Sequence, residues 1–414
     1  MTRSLYMTAE EVAATLGVSV ATVYAYVSRR ILSSHRTQGS RATRYLRADV
    51  ERIQDKGGEP HRIDTNALVT QTRITMLTDN GPYYRGQSAI ALSETATLEA
   101  VAALLWEVDE AEVFPDAPPR PLEAIGGLKS LLEGLSAVDR ASILFPLIEN
   151  DNPRAYDLSP AGFARTGAEV MRWFAAIMVG LDRPSAEPIH KVVVSRSKTP
   201  KLLEPIVRKL LVLAADHELD PTTYAVRAVA NTGVTPYRAA LAGLTASTGR
   251  RLTYGRSDAL TRFVEEITAT ADAKEAIVRR LREGDALPGF GSSLYTAGDP
   301  RAAALHQALT EGLDGDQEMR RLNDAIEVAF EVTGQRPDFA LLNLFLGRKL
   351  GLVRQDGVTL RLARMAGWIA NAMEQYHGRD LVRTRANYTG VLPTEGAAQA
   401  TSTPQPRQRN RAPS

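Results

Sequence analysis

Residues 287–301 read LPGFGSSLYTAGDPR. The backbone-special residues Pro288, Gly289 and Gly291 come first, serines follow at 292 and 293, and the strong charges Asp299 and Arg301 arrive only at the end. Glycine admits positive φ angles and close approaches that a side chain forbids, so the stretch has the make-up of a ligand-holding loop. Its middle, however, offers hydroxyls and no strong base. Six histidines occur, at 35, 61, 190, 217, 306 and 377, and no two have the spacing of metal ligands on a helix. His217 stands apart, because it falls where one apolar helical pattern ends and Asp220 with Pro221 starts another. A histidine at such a junction is either a satisfied structural group or a ligand-binding one.

Common catalytic signatures are absent. The chain has no G-x-x-x-x-G-K-[ST], H-E-x-x-H or G-x-S-x-G, and GFGSSL leads into a turn instead of a helix, which argues against a dinucleotide fold. With 0 cysteines, disulfides, thiolate nucleophiles and cysteine-ligated metals are excluded. The 414 residues, 44% hydrophobic, have room for two or three domains. No run reaches bilayer-spanning length and no secretory signal opens the chain, so a cytoplasmic protein with no membrane partner is expected.

The elements that must position these residues are helical. Helical patterns cover 98–106, 161–179, 202–215, 221–231, 258–269, 302–311, 322–332, 339–350 and 361–375, and no series of alternating strands appears. Within 161–179, Phe163, Gly167, Val170, Phe174 and Ile177 recur at the spacing of a core stripe. Proline-rich stretches at 114–121 and 181–188 read as loops. The tail from 391 to 414 lacks apolar residues to bury and is expected to be disordered.

The N-terminal piece differs in charge. Residues 1–62 carry 10 Lys and Arg against 6 Asp and Glu, while the rest of the chain carries 40 against 42. A small basic unit on a near-neutral body suits a polyanion-binding appendage. Thr8 and Glu11 form a capping box for a first helix, Gly17 stops it, and Ser19 caps a second helix. Residues 5–54 resemble the winged helix-turn-helix of the MerR and excisionase families. That resemblance assigns DNA contacts to Thr22, Tyr26, Arg29 and Arg30 of the second helix and to Arg41 and Arg44 of the wing. The same unit also suits a protein–protein module.

ADHELDPTTYAVRAVANTG (215–233), PGFGSSLYTAGDPRA (288–302), RPDFALLNLFLGRKLGL (336–352), ARMAGWIANAMEQ (363–375) and LVRTRANYTG (381–390) resemble successive blocks of the citrate synthase family. YYRGQSA and AALLWEVDE match its earlier blocks more loosely. The resemblance implies a mainly α protein: a winged helix-turn-helix at 1–58 and an all-helical two-domain body at 63–390. The large domain would span about 63–255 and 350–390, and the small domain about 256–349. A homodimer is implied, with ligands held between the two lobes.

In that family an aspartate removes the methyl proton of acetyl-CoA, a histidine stabilises the enol, a second donates to the oxaloacetate carbonyl, and a third joins three arginines on the carboxylates. A methyl beside a thioester is so weakly acidic that base and oxyanion donor must act together. The resemblance gives the base to Asp338 and the oxaloacetate-holding places to His217, Arg301, Arg364 and Arg383, the last reaching in from the partner subunit. Coenzyme A would lie along Pro288, Gly289, Phe290 and Gly291. Where the family has its enol-stabilising histidine this chain has Tyr254, and where the loop reads G-H it has Gly291-Ser292.

Three functions are then open. One is a ligand-responsive DNA-binding protein that holds a CoA thioester or a 2-oxo dicarboxylate with citrate synthase activity lost or strongly altered. The second is an active citrate synthase-type acyltransferase that condenses acetyl-CoA or another acyl-CoA with oxaloacetate, with Asp338 as base and Tyr254 as enol-stabilising donor. The third is a structural dimer that modulates an active paralogue. No permanently bound cofactor and no metal are expected; acetyl-CoA or another acyl-CoA enters as substrate or ligand.

Overall fold

The computed structural model describes residues 6–28, 32, 34–36, 43–47, 50, 53, 71–249, 257–270, 272–292, 294–352 and 357–378. Two separate hydrophobic cores organise them. The smaller gathers Met7, Ala9, Val12, Ala13, Val23, Leu32, Tyr45, Val50 and Ile53. Around it stand helices Ala9–Leu16 and Val20–Ser28 and a three-stranded antiparallel sheet. In that sheet Thr43–Leu46 pairs with Tyr6–Met7 on one side and His35–Arg36 on the other.

The capping box forms as the sequence indicates. Thr8 Oγ1 accepts the Glu11 amide at 3.2 Å and Glu11 Oε2 accepts the Thr8 amide at 2.7 Å. Gly17, at φ 66, ends the helix in the left-handed region, and Ser19 Oγ accepts the Thr22 amide at 3.1 Å to start the next.

The body is mainly helical, but it opens with a sheet that helical patterning does not anticipate. Thr75–Thr78 pairs antiparallel with Gly81–Tyr84, which pairs with Gln87–Ser88. Strands of two to four residues are too short for alternation to register. Helices Ala89–Thr95, Ile125–Leu132, Ala137–Asn150, Ile189–Val194, Pro236–Ser247 and Ala273–Glu283 also go beyond the expected set. Several were legible from their caps rather than their periodicity: Ser136, Thr235 and Asp272 each accept an amide of the helix that follows.

The larger core is built around helix Val358–His377, which is buried along nearly its whole length. It packs against Leu98–Trp106, Pro160–Met178, Pro221–Ala230 and Pro236–Ser247. Phe163, Val170, Phe174 and Ile177 of the expected stripe are core residues. Gly367 sits where this helix crosses residues 215 and 216. Its amide donates to Ala215 O at 3.0 Å, and a Cβ there would lie 2.2 Å from Asp216 Oδ1. That close crossing brings the helix carrying Arg364 against the turn carrying His217. No helix among the described residues is long and apolar enough to cross a membrane.

Candidate functional site

Four stretches far apart in sequence meet at a cavity of about 350 Å³. His217 comes from the turn between helices Pro200–Leu213 and Pro221–Ala230, and Arg301 from the first turn of Pro300–Gly312. Asp338 caps Phe339–Lys349, and Arg364 projects from the buried helix Val358–His377. All four line the cavity, with Asp220, Gly291, Ser292, Asp299 and Phe339 between them.

Both arginines are held by carboxylates of the protein. Arg301 Nε and Nη2 meet Asp299 Oδ1 and Oδ2 at 3.1 and 2.6 Å, a two-pronged pairing, and its guanidinium lies 5.0 Å from the centre of the Phe339 ring. Arg364 Nη2 meets Asp220 Oδ2 at 2.8 Å and its Nη1 stands 3.9 Å from Asp216 Oδ1. Burial alone would raise the Asp220 carboxyl, but Arg364 and the hydrogen bonds from Thr222 and Thr223 hold it below the usual carboxylate range.

His217 is neutral. Burial, then the positive charges of Arg301 and Arg364, hold its pKa well below the ordinary value. Its Nε2 lies 3.0 Å from the hydroxyl of Tyr295. Burial raises the Tyr295 hydroxyl, so it stays protonated.

Asp338 has two tasks in one place. Its Oδ1 accepts the Leu341 amide at 2.8 Å, which caps the helix, while the residue also lines the cavity. Burial pushes its carboxyl above the usual range; the Leu341 amide opposes this and the neighbouring Asp299 reinforces it. A carboxylate with a raised pKa is the better proton acceptor.

The glycine-rich loop is zipped to the segment before Asp338. Gly291 N donates to Arg336 O at 2.9 Å and Asp338 N donates to Gly289 O at 2.7 Å. Gly291 and Ser292 reach the cavity, whereas Pro288, Gly289 and Phe290 do not line it. Phe290 meets Phe263 edge-on at 6.1 Å. Gly289 packs closely against the protein's own side chains. At φ 81, a Cβ would fall 2.7 Å from Leu260 Cδ1 and 2.8 Å from Leu341 Cβ, so the close neighbours are protein side chains. Ser292 Oγ accepts the amides of Leu294 and Tyr295 at 3.2 and 3.0 Å, which shapes the turn leading to Tyr295.

Sequence reasoning missed Tyr295, Asp299 and Asp220 as site residues. The spacing D-P-R was the available signal: an N-cap aspartate two residues before an arginine can meet its guanidinium across the first turn.

Tyr254, Arg383, Arg29, Arg30 and Arg41 lie outside the described residues, as does the expected tail. Of the remaining residues expected to contact DNA, Arg44 is exposed on its strand, and Thr22 is half-buried with its hydroxyl 2.8 Å from that of Ser19. Tyr26 packs partly against the small core, and the exposed aromatic of that helix is Tyr24, at 55%.

Residues 161–385, just over half the chain, match the sequence profile described as "Citrate synthase, C-terminal domain". The chain belongs to the citrate synthase family. Residues 6–57 match a helix-turn-helix domain, so this member of the family carries such a domain at its N-terminus. It is 30% identical to the citrate/2-methylcitrate synthase of Bacillus subtilis over 345 residues, 74% of this chain and 89% of that one. It is 26% identical to citrate synthase 2 of the same organism over 352 residues, 78% and 94% of the two chains.

Among solved structures, the citrate synthase of Thermotoga maritima superposes with a TM-score of 0.63 at 22% identity, covering 79% of this chain and 95% of that one. The Thermoplasma acidophilum citrate synthase, solved as a ternary complex with carboxymethyl coenzyme A and oxaloacetate, gives 0.62 at 18% identity, covering 79% and 95%. At these identities the structural likeness establishes the mainly helical fold of the citrate synthase body.

Proposed function

We propose that the cavity binds a 2-oxo dicarboxylate, with oxaloacetate as its type, beside the acyl end of a CoA thioester. On this reading the helix-turn-helix domain makes the protein a ligand-responsive DNA-binding regulator whose citrate synthase turnover is lost or strongly altered. The observation that carries it is the convergence of His217, Arg301, Arg364 and Asp338 on one cavity. With the large domain at 63–255 and 350–390 and the small domain at 256–349, His217 and Arg364 belong to one lobe and Arg301 and Asp338 to the other, so a ligand between them draws the lobes together. Closure of that kind in a homodimer, with Arg383 supplied by the partner subunit, sets the spacing of two DNA-binding units.

Arg301 keeps Nη1 without a hydrogen bond among the described residues, and that edge can take a ligand carboxylate. Neutral His217 donates from one ring nitrogen. The reduced turnover follows from Tyr254 and Ser292 standing where the family has histidines. Removing one positioned oxyanion donor typically costs about 10²- to 10³-fold in rate.

A second reading, a working condensing enzyme, is favoured by the raised pKa of Asp338 within the cavity. There Asp338 takes a methyl proton from the acyl-CoA, the enol carbon attacks the ketone of oxaloacetate while the ketone oxygen gains a proton, and water then releases CoA thiol from the thioester. A tyrosine can serve as the enol-oxygen donor.

Calorimetry with oxaloacetate, wild type against Arg364→Ala, tests the site: binding that Arg364→Ala abolishes is expected, and no binding by wild type at millimolar concentration refutes it. Thiol release from acetyl-CoA plus oxaloacetate separates the readings, since sustained release that Asp338→Ala removes establishes the enzyme. A mobility shift on DNA upstream of its own reading frame, with and without oxaloacetate, tests the regulator; no shift at low salt sinks it.

A further inference from the structure

Tyr6, in the first strand of the helix-turn-helix domain, reaches the body. Its hydroxyl donates to the carbonyl oxygen of Leu77 at 3.1 Å. The residue is half-buried, and burial, followed by the nearby carboxylates of Glu218 and Asp79, pushes its pKa up to about 12. Leu77 lies on strand Thr75–Thr78, whose register sets Thr75 opposite Tyr84. Tyr84 is fully buried, and its hydroxyl stands 3.1 Å from Val212 O and 3.2 Å from Leu213 O and Asp216 O, and accepts the Asp216 amide at 3.3 Å.

Those groups lead into the turn that holds His217 and Asp220. Glu218, in the same turn, has φ 61, a left-handed conformation that a residue with a side chain rarely adopts. It is held there by its amide, which donates to Asp216 Oδ2 at 3.2 Å. One small hairpin thus has the helix-turn-helix domain against one strand and the His217 turn against the other.

We propose that Tyr6 is a positioning residue for the dicarboxylate cavity: docked on Leu77, it orders the hairpin that holds the His217 turn. This rests on the dicarboxylate reading above. Coupling between sites is reciprocal, so a dicarboxylate that fixes the His217 turn tightens the docking of the helix-turn-helix domain. The two events share the cost of ordering one hairpin, which makes the coupling positive.

The test uses the full chain, with oxaloacetate as probe, as wild type, Tyr6→Phe and Tyr6→Ala. Tyr6→Phe keeps the ring and the strand pairing with Leu46 but loses the hydroxyl. Expected are about threefold to tenfold weaker oxaloacetate binding in Tyr6→Phe by calorimetry, and slower amide exchange at Tyr6–Met7 on adding oxaloacetate to wild type but not to Tyr6→Phe. Exchange in helix Ala9–Leu16 reports whether the domain still folds in each variant, and the wild-type exchange measurement stands without any variant. Equal oxaloacetate affinity in all three chains, with exchange at Tyr6–Met7 indifferent to saturating oxaloacetate, overturns the coupling and leaves the cavity reading intact. Absence of oxaloacetate binding in wild type removes both.

Discussion

The backbone amide of Asp338 donates to the carbonyl oxygen of Gly289 at 2.7 Å. The residue assigned as base and the loop assigned to coenzyme A are therefore one hydrogen-bonded unit, and a shift in the loop moves the carboxyl with it. The same carboxyl caps a helix, so its structural and chemical tasks have to be separated by choice of substitution.

Asparagine caps a helix about as well as aspartate, and alanine does not. Asp338→Asn should keep stability within a few tenths of a kcal/mol, and Asp338→Ala should lose about 1 kcal/mol. Neither variant can accept the methyl proton. Thermal denaturation read alongside thiol release checks this; release by Asp338→Asn at the wild-type rate would show that another group is the base.

Gly289→Ala should destabilise the protein by about 2 kcal/mol or more, since the left-handed φ and a Cβ driven against Leu260 and Leu341 add. Gly291→Ala meets only the end of the Gln335 side chain, at 3.3 Å, and should cost less at a similar φ of 81. Urea midpoints of the two variants give the order, and a reversed order would mean that the loop does not pack as described.

Asp216 is buried, and burial, opposed by Arg364, moves its pKa up from 3.8 to about 6. Between those values the folded chain holds more protons than the unfolded one, so this group's contribution to stability is full below about pH 4 and is lost as pH rises through 6. The loss is on the order of 2–3 kcal/mol. Unfolding free energies from pH 4 to 7 should show that decline, and Asp216→Asn should flatten it; an unchanged slope would assign the pH dependence to other groups.

Local chemistry written into neighbouring residues was legible in the sequence. The Thr8–Glu11 box, the Asp220–Pro221 helix start and the stripe from Phe163 to Ile177 depend on groups a few residues apart, and each forms as its spacing indicates. The hairpin at Thr75–Tyr84 was not legible, because four-residue strands carry too little periodicity and their stability comes from the helices they rest on. Helix Ala273–Glu283 was missed for the opposite reason: it is mostly polar, and its cap at Asp272 was its clearest mark.

The sequence by itself determined the family, the helical class and which residue types stand at the matching positions, because these reside in short ordered blocks. Only the tertiary structure decided what those residues face. It put Asp299 on the Arg301 guanidinium, Tyr295 on His217 and Asp220 on Arg364. The physical reason is that a guanidinium or an imidazole is tuned by whatever lies within a few ångströms in space, and the crossing at Gly367, which brings Arg364 against the His217 turn, joins residues about 150 positions apart that no local pattern connects.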